Sequence, residues 1–170
     1  MEKITLTIRD KTKVNFIMEL LNQFKFVELP KFSNNKNVFL KNTDAVKLSH
    51  IKDGSIDKVY SVLALQNMAD VDGVIKEIKR VLKVNGRCLF VINHPSFRIP
   101  KESDWKFDNN INKQGRIVFN YMTDKKYIID LNPGLKAMGE KTEETISFHH
   151  PLQYYSKIFN KQGLAISRIE

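Results

Sequence analysis

The residues with chemistry to offer in this chain stand just after two apolar runs. The first run, from Ile56, ends in Gln66 and Asn67, a pair of amides that can both donate and accept hydrogen bonds. The second opens into the loop HPSFRIP, which brings an imidazole (His94), an aromatic ring (Phe97) and a guanidinium (Arg98) together, with Pro95 and Pro100 restricting the backbone. His94 has two readings: an orienting or proton-accepting group for a bound molecule, or an ordinary hydrogen-bonded loop histidine. Gln66 and Asn67 likewise either face a ligand or cap the helix that follows.

The elements that must position these groups follow from apolar spacing. IDKVYSVLAL reads as a buried strand, preceded by a turn at Lys52–Ser55 with its Asp-Gly signal. Residues 69–83 form an amphipathic helix whose stripe is Val71, Val74, Ile75, Ile78, Val81 and Leu82. Lys76, Glu77, Lys79 and Arg80 are expected to face water. Asn85 and Gly86 close this helix, with Gly86 suited to a left-handed position, and Arg87–Asn93 is a second buried strand. This order is half of a doubly wound α/β domain, in which ligands bind past the C-terminal ends of the strands.

Upstream, ITLTI alternates as a half-buried strand, Asp10 is placed to cap a helix over 12–24, and a short strand spans 26–29. This strand-helix-strand unit, residues 1–32, is followed by the polar stretch Ser33–Asn37, the expected junction, and by the strand Asn37–Leu40. Asp44 and Ala45 come next, and an Asp there is ordinarily a turn former or cap. Downstream, residues 114–131 read as two antiparallel strands joined by Thr-Asp-Lys-Lys. Trp105, Phe107, Phe119, Tyr121 and Tyr127 are candidates for a pocket lining or for core. His149 and His150 precede a helix whose first turn suits Pro151, and adjacent strand residues face opposite ways, so no metal site is assigned. Gly163–Ile169 reads as a final strand.

Composition narrows the classes. With 42% hydrophobic and 28% charged residues in 170, the chain suits one domain with a short appendage. No apolar run approaches the roughly 20 residues of a membrane span, and the N-terminus alternates where a secretory leader would be continuously apolar. The single cysteine, Cys88, lies mid-strand, so a reducing, cytoplasmic setting is expected. The net charge of +9 is spread along the chain without a basic cluster, which points to a solvated surface rather than to nucleic acid.

Several strings resemble the class I S-adenosylmethionine-dependent methyltransferases, in particular the type 11 methyltransferase domain, over residues 37–170. DGSIDKVYSVLALQNM resembles the family's fourth motif, EIKRVLKVNG is similar to its helix-turn signature, and NHPSFRIP, ETISFHHPLQYY and FNKQGLAISRIE match one subgroup. The resemblance implies an incomplete Rossmann-like sheet with antiparallel C-terminal strands, S-adenosylmethionine as cofactor, and a small-molecule methyl acceptor. It implies cofactor contacts at Asp44, Ala45, Leu63, Gln66 and Asn67, a catalytic His94, and substrate contacts at Phe97, Arg98 and His149. It also makes the 114–131 hairpin a lid over the substrate.

None of the seven glycines forms the GxG of the family's cofactor loop. Activity of the chain is accordingly an open expectation. The alternative is a non-catalytic interaction module or methyltransferase remnant, because residues 1–32 resemble small antitoxin-type segments and offer a surface for a protein partner.

Overall fold

The computed structural model describes residues 43–170. The expected unit within 1–32, the junction after it and the strand 37–40 lie outside the described residues. Strand β1 (Ile56–Val62) leads through a single turn of 3-10 helix (Leu65–Asn67) to helix α1 (Val71–Val81), then strand β2 (Leu82–Val91). Strands β3 (Ser103–Asp108), β4 (Lys113–Val118) and β5 (Lys125–Asp130), the short helix α2 (Pro133–Ala137), β6 (Glu144–His149) and helix α3 (Leu152–Lys161) complete the order.

The β1-α1-β2 segment is the expected parallel crossover, with Val59 opposite Cys88 and Val62 opposite Val91. Its register breaks between Ile56 and Lys58, because Ile56 pairs with Leu82 while Lys58 pairs with Arg87. The residues looped out between those partners are the expected turn. Asn85 takes the left-handed conformation there (φ 63°), not Gly86. Gly86 is instead required by close approach, since an added Cβ would lie 2.9 Å from the Lys83 carbonyl oxygen and 3.3 Å from that of Asp57.

The core lies where α1 and α3 cover this parallel pair. Val71, Val74, Ile75, Ile78 and Val81 are buried along α1 and meet Tyr155 and Ile158 of α3. Phe90 of β2 stacks on Phe159 with ring centroids 5.2 Å apart. Burial of such side chains contributes about 1.5–3 kcal/mol each.

Glu77 and Arg80 do not face water as the helical stripe suggested. The Glu77 carboxylate accepts from the Arg80 Nε (2.9 Å) and from the Leu48 backbone N–H (2.6 Å). Arg80 also donates to the carbonyls of Leu48 (3.1 Å) and Ile51 (3.0 Å) and to Asp53. Gly54 and Ser55 close the same junction by donating to the carbonyls of Arg80 and Val81, each at 2.9 Å. The two charged residues thus staple the 48–55 segment to the end of α1, and a helical wheel misses this because their partners are backbone atoms far away in sequence.

Two further expectations change. Residues 114–131 do not form one hairpin: β4 pairs antiparallel with β3, Trp105 opposite Arg116, while β5 pairs with β6, Tyr127 opposite Ser147. Alternation identifies a strand but not its partner. Asn120 (φ 55°) turns the chain after β4, and the Thr123 hydroxyl donates to its carbonyl at 2.7 Å, so the connection redirects the chain. Gly163–Ile169 is not a strand either. Gly163 (φ 69°) ends α3, with Leu164 N–H donating to Phe159 at 2.9 Å, and the segment beyond has no strand neighbour among the described residues.

The hydrogen bond from Arg80, followed by that from Leu48, holds the Glu77 carboxyl below the usual carboxylate range. A carboxyl whose folded pKa is depressed stabilises the fold above its unfolded value, about 4.5, and loses that contribution as pH falls through the folded value. Glu77→Gln is expected to cost about 1–3 kcal/mol at neutral pH. In urea denaturation across pH, its stability should decline less steeply in acid than that of the parent. Parallel acid limbs would show that Glu77 is not held as described.

Candidate functional site

β1 ends in a strained elbow. The Leu63 N–H donates to Val91 at 2.7 Å, extending the parallel ladder by one bond, and Leu63 then adopts φ 49°, a left-handed conformation unfavourable for a leucine. Leu65 is buried and anchors the turn that follows. The cap of α1 is Asp70, whose carboxylate accepts from Gly73 N–H at 2.8 Å, and an added Cβ at Gly73 would collide with that carboxylate. Gln66 and Asn67 are therefore released from capping. Asn67 Nδ2 donates to the Ile146 carbonyl at 2.7 Å and ties the elbow to β6. Gln66 Oε1 is buried without a partner, which costs about 1–3 kcal/mol and calls for a structural or functional reason.

The loop after β2 is equally constrained. The His94 carbonyl accepts from the N–H groups of Phe97 and Arg98, both at 3.0 Å, and folds residues 94–98 into a tight turn. His94 itself is exposed, and its Nδ1 lies 3.3 Å from the Ser96 backbone N–H and 3.0 Å from the Ser96 hydroxyl. A backbone N–H can only donate, so Nδ1 accepts and the proton of the neutral ring sits on Nε2. Ile99 is buried beneath the loop, with both its N–H and its carbonyl satisfied by the Ser103 hydroxyl. Phe97 packs edge-on against Trp105 at 5.8 Å, and the Arg116 guanidinium lies 4.8 Å from the Phe97 ring centre and 5.3 Å from that of Trp105. Arg98 is exposed.

Because Val62 and Val91 are register partners, the elbow and the His94 loop leave the parallel pair at the same end. That is the edge at which open α/β sheets bind ligands. Other expected residues sit differently. Asp44 is exposed and its Oδ1 accepts from Val46 N–H at 3.1 Å, a turn-forming bond, while Ala45 packs against the core. His149 is buried and donates from Nε2 to the Tyr121 carbonyl at 2.9 Å, so its ring holds the β4–β5 connection. Trp105, Phe107 and Phe119 are more than half exposed, neither core nor enclosed pocket wall, whereas Tyr127 is buried.

The sequence reading weighs His150 only as a metal ligand, with His149, and assigns it no other role. Its Nδ1 lies 2.8 Å from Asp124 Oδ1, its ring stacks on Tyr154 at 3.9 Å, and Tyr155 meets it edge-on at 6.0 Å. The only signal was an Asp in the turn connecting two strands and a His-His pair ahead of a proline. Burial pushes the Tyr155 phenol up to about 12 and also raises that of Tyr154, with smaller upward contributions from Asp124, Asp72 and Asp70. Burial also raises the Cys88 thiol, which leaves it a poor nucleophile. Among the described residues, no cluster of three His, Cys, Asp or Glu could hold a metal, and no helix is long and apolar enough to cross a membrane.

Residues 19–90 match the family model described as a methyltransferase domain, a match that begins upstream of the junction expected at 33. No curated protein matches the chain. Among solved structures, an S-adenosylmethionine-dependent methyltransferase from Mesorhizobium loti superposes with a TM-score of 0.65 at 21% identity, over 81% of this chain and 58% of that one. A protein from Listeria monocytogenes given the same assignment superposes with a TM-score of 0.60 at 22% identity, over 77% of this chain and 57% of that one. The chain thus spans less than two thirds of the length of either, and likeness at this identity establishes the fold alone. Part of the chain thus matches the methyltransferase-domain model, and its fold is similar to that of S-adenosylmethionine-dependent methyltransferases.

Proposed function

We propose that this chain supplies the second half of a methyl-transfer site, acting on a small-molecule acceptor with S-adenosylmethionine as methyl donor. The observation that carries this reading is the shared exit of the elbow and the His94 loop from one end of the parallel pair. The described polar groups suit the two ends of that cofactor. Gln66 Oε1, buried and unpartnered, is an acceptor of the kind an ammonium group needs, and Asp44 offers an exposed carboxylate to an adenine amino group. Ala45, Leu63 and Asn67 would complete that side. The middle of the cofactor finds no glycine cradle among the described residues: the two glycines with close neighbours, Gly73 and Gly86, meet Asp70 and the Lys83 carbonyl.

S-adenosylmethionine supplies a methyl group already activated on a sulfonium, so the protein's contribution is mainly alignment, worth up to roughly 7–11 kcal/mol in well-oriented systems. Asn67 holds the elbow against β6, and Arg116 holds Phe97 against Trp105, so the site's two walls are set by contacts outside it. His94 acts in this reading as a donor. With Nδ1 engaged by Ser96, its exposed Nε2–H orients an acceptor's lone pair and does not remove a proton. Phe97 and Arg98 offer an exposed ring and cation to the acceptor.

Calorimetric titration with S-adenosylhomocysteine tests the reading: saturable heat is expected, weakened about tenfold, or 1.4 kcal/mol, in Gln66→Leu. No heat at millimolar ligand would count against cofactor binding by this chain. Replacing Leu63 with glycine separates site from fold. Relief of the left-handed strain should leave thermal stability unchanged or raised by up to about 1 kcal/mol, while affinity for the same ligand falls. A loss of stability in Leu63→Gly would show that the side chain serves packing alone.

A further inference from the structure

We propose that His150 Nε2 is the proton-accepting position of the site, a built acceptor for the O–H or N–H group of the molecule being methylated. This rests on the methyl-transfer reading above and adds the residue that it lacks. His94 presents a donor at its exposed nitrogen, and His149 spends its Nε2–H on the Tyr121 carbonyl. His150 has the opposite arrangement. Asp124, an exposed carboxylate and therefore an acceptor, faces Nδ1 at 2.8 Å, so Nδ1 carries the proton and Nε2 carries the lone pair.

Three contacts fix that ring. It lies face to face with Tyr154 at 3.9 Å and 7°, edge to face with Tyr155 at 6.0 Å and 86°, and its Nδ1 is bonded to Asp124. The residue is 9% exposed, and Nε2 is fully buried with no hydrogen-bond partner. A buried, immobilised acceptor left empty costs stability without structural return, and such groups in native proteins have a ligand, an ordered water or a catalytic task. Its place favours the ligand. β6, which ends one residue before His150, is tied to the elbow by the bond from Asn67 to the Ile146 carbonyl.

The step balances on these groups. The methyl donor would supply the leaving group: transfer to the acceptor's oxygen or nitrogen would leave the carbon–sulfur electron pair on its sulfur. The acceptor's proton passes to His150 Nε2, and the imidazolium so formed is held by Asp124 until the proton is lost to solvent. Asp124 is the positioning residue, fixing the tautomer that leaves Nε2 free.

Nitrogen-15 NMR of the histidine-labelled full chain, with phenol as the hydroxyl probe, reads the tautomer and the site together. Expected are a protonated Nδ1 and an unprotonated Nε2 at His150 near neutral pH, and a saturable phenol-induced shift at that Nε2 alone. Phenol affinity should weaken at least about fivefold in Asp124→Ala, with partial recovery in Asp124→Asn. A protonated Nε2, or an Nε2 occupied by water that phenol leaves unshifted, would overturn the proposal. If S-adenosylhomocysteine binds while phenol shifts nothing, His150 is wrong and the methyltransferase reading stands. If phenol shifts Nε2 while S-adenosylhomocysteine does not bind, the acceptor site stands and the cofactor reading falls.

Discussion

The parallel pairing of β1 with β2 is the constraint on which the candidate site depends. A parallel ladder requires a crossover, and α1 supplies it, so both strands end on the same side with their next residues free to diverge. Val62 opposite Val91 then delivers Leu63 and its elbow next to the His94 loop. Had the pair been antiparallel, Gln66 and His94 would sit at opposite ends of the strands and share nothing. The Glu77–Arg80 staple serves the same end, since it fixes the segment that feeds β1 onto the helix that feeds β2.

Around that pair, long-range polar contacts rather than extra sheet hold the walls in place. Three two-stranded sheets share no ladder with one another among the described residues. Asn67 reaches Ile146, Arg116 binds the Phe97 carbonyl at 2.6 Å, and His149 and His150 secure the connection before β5. The first two bonds join a site element to a strand outside the parallel pair, and the histidine bonds tie the β4–β5 connection to the end of β6. The Asn67 amide nitrogen and the His149 Nε2, polar groups that look like ligand contacts in sequence, are thereby committed to the protein, while Gln66 and His150 keep an atom unpaired.

The β1-α1-β2 crossover and the loop after it were legible in the sequence because apolar period and polar breaks are local signals. The tightness of Gly86, the strain at Leu63 and the capping role of Asp70 depend on backbone geometry, which residue type only partly encodes. Strand pairing beyond residue 100 was not legible. SDWKFD is assigned no element from the sequence, yet it forms β3, with KQGRIV lying across from it and Arg116 against Trp105. Within the site, His94 was legible as a candidate and its tautomer was not, because that depends on the Ser96 N–H. His150 gains its Asp124 partner from 26 residues away, a separation no local pattern reports.

The most direct test is whether the two site loops leave a parallel pair at one end. Nuclear Overhauser contacts measured on the backbone amide and α protons of Val59–Leu63 and Cys88–Val91 would decide it. Parallel cross-strand contacts are expected in the order Val59 with Cys88, Tyr60 with Leu89 and Val62 with Val91, continuing to the Leu63 amide. Contacts running in the reverse order, or their absence between the two segments, would separate Gln66 from His94 and contradict a common site.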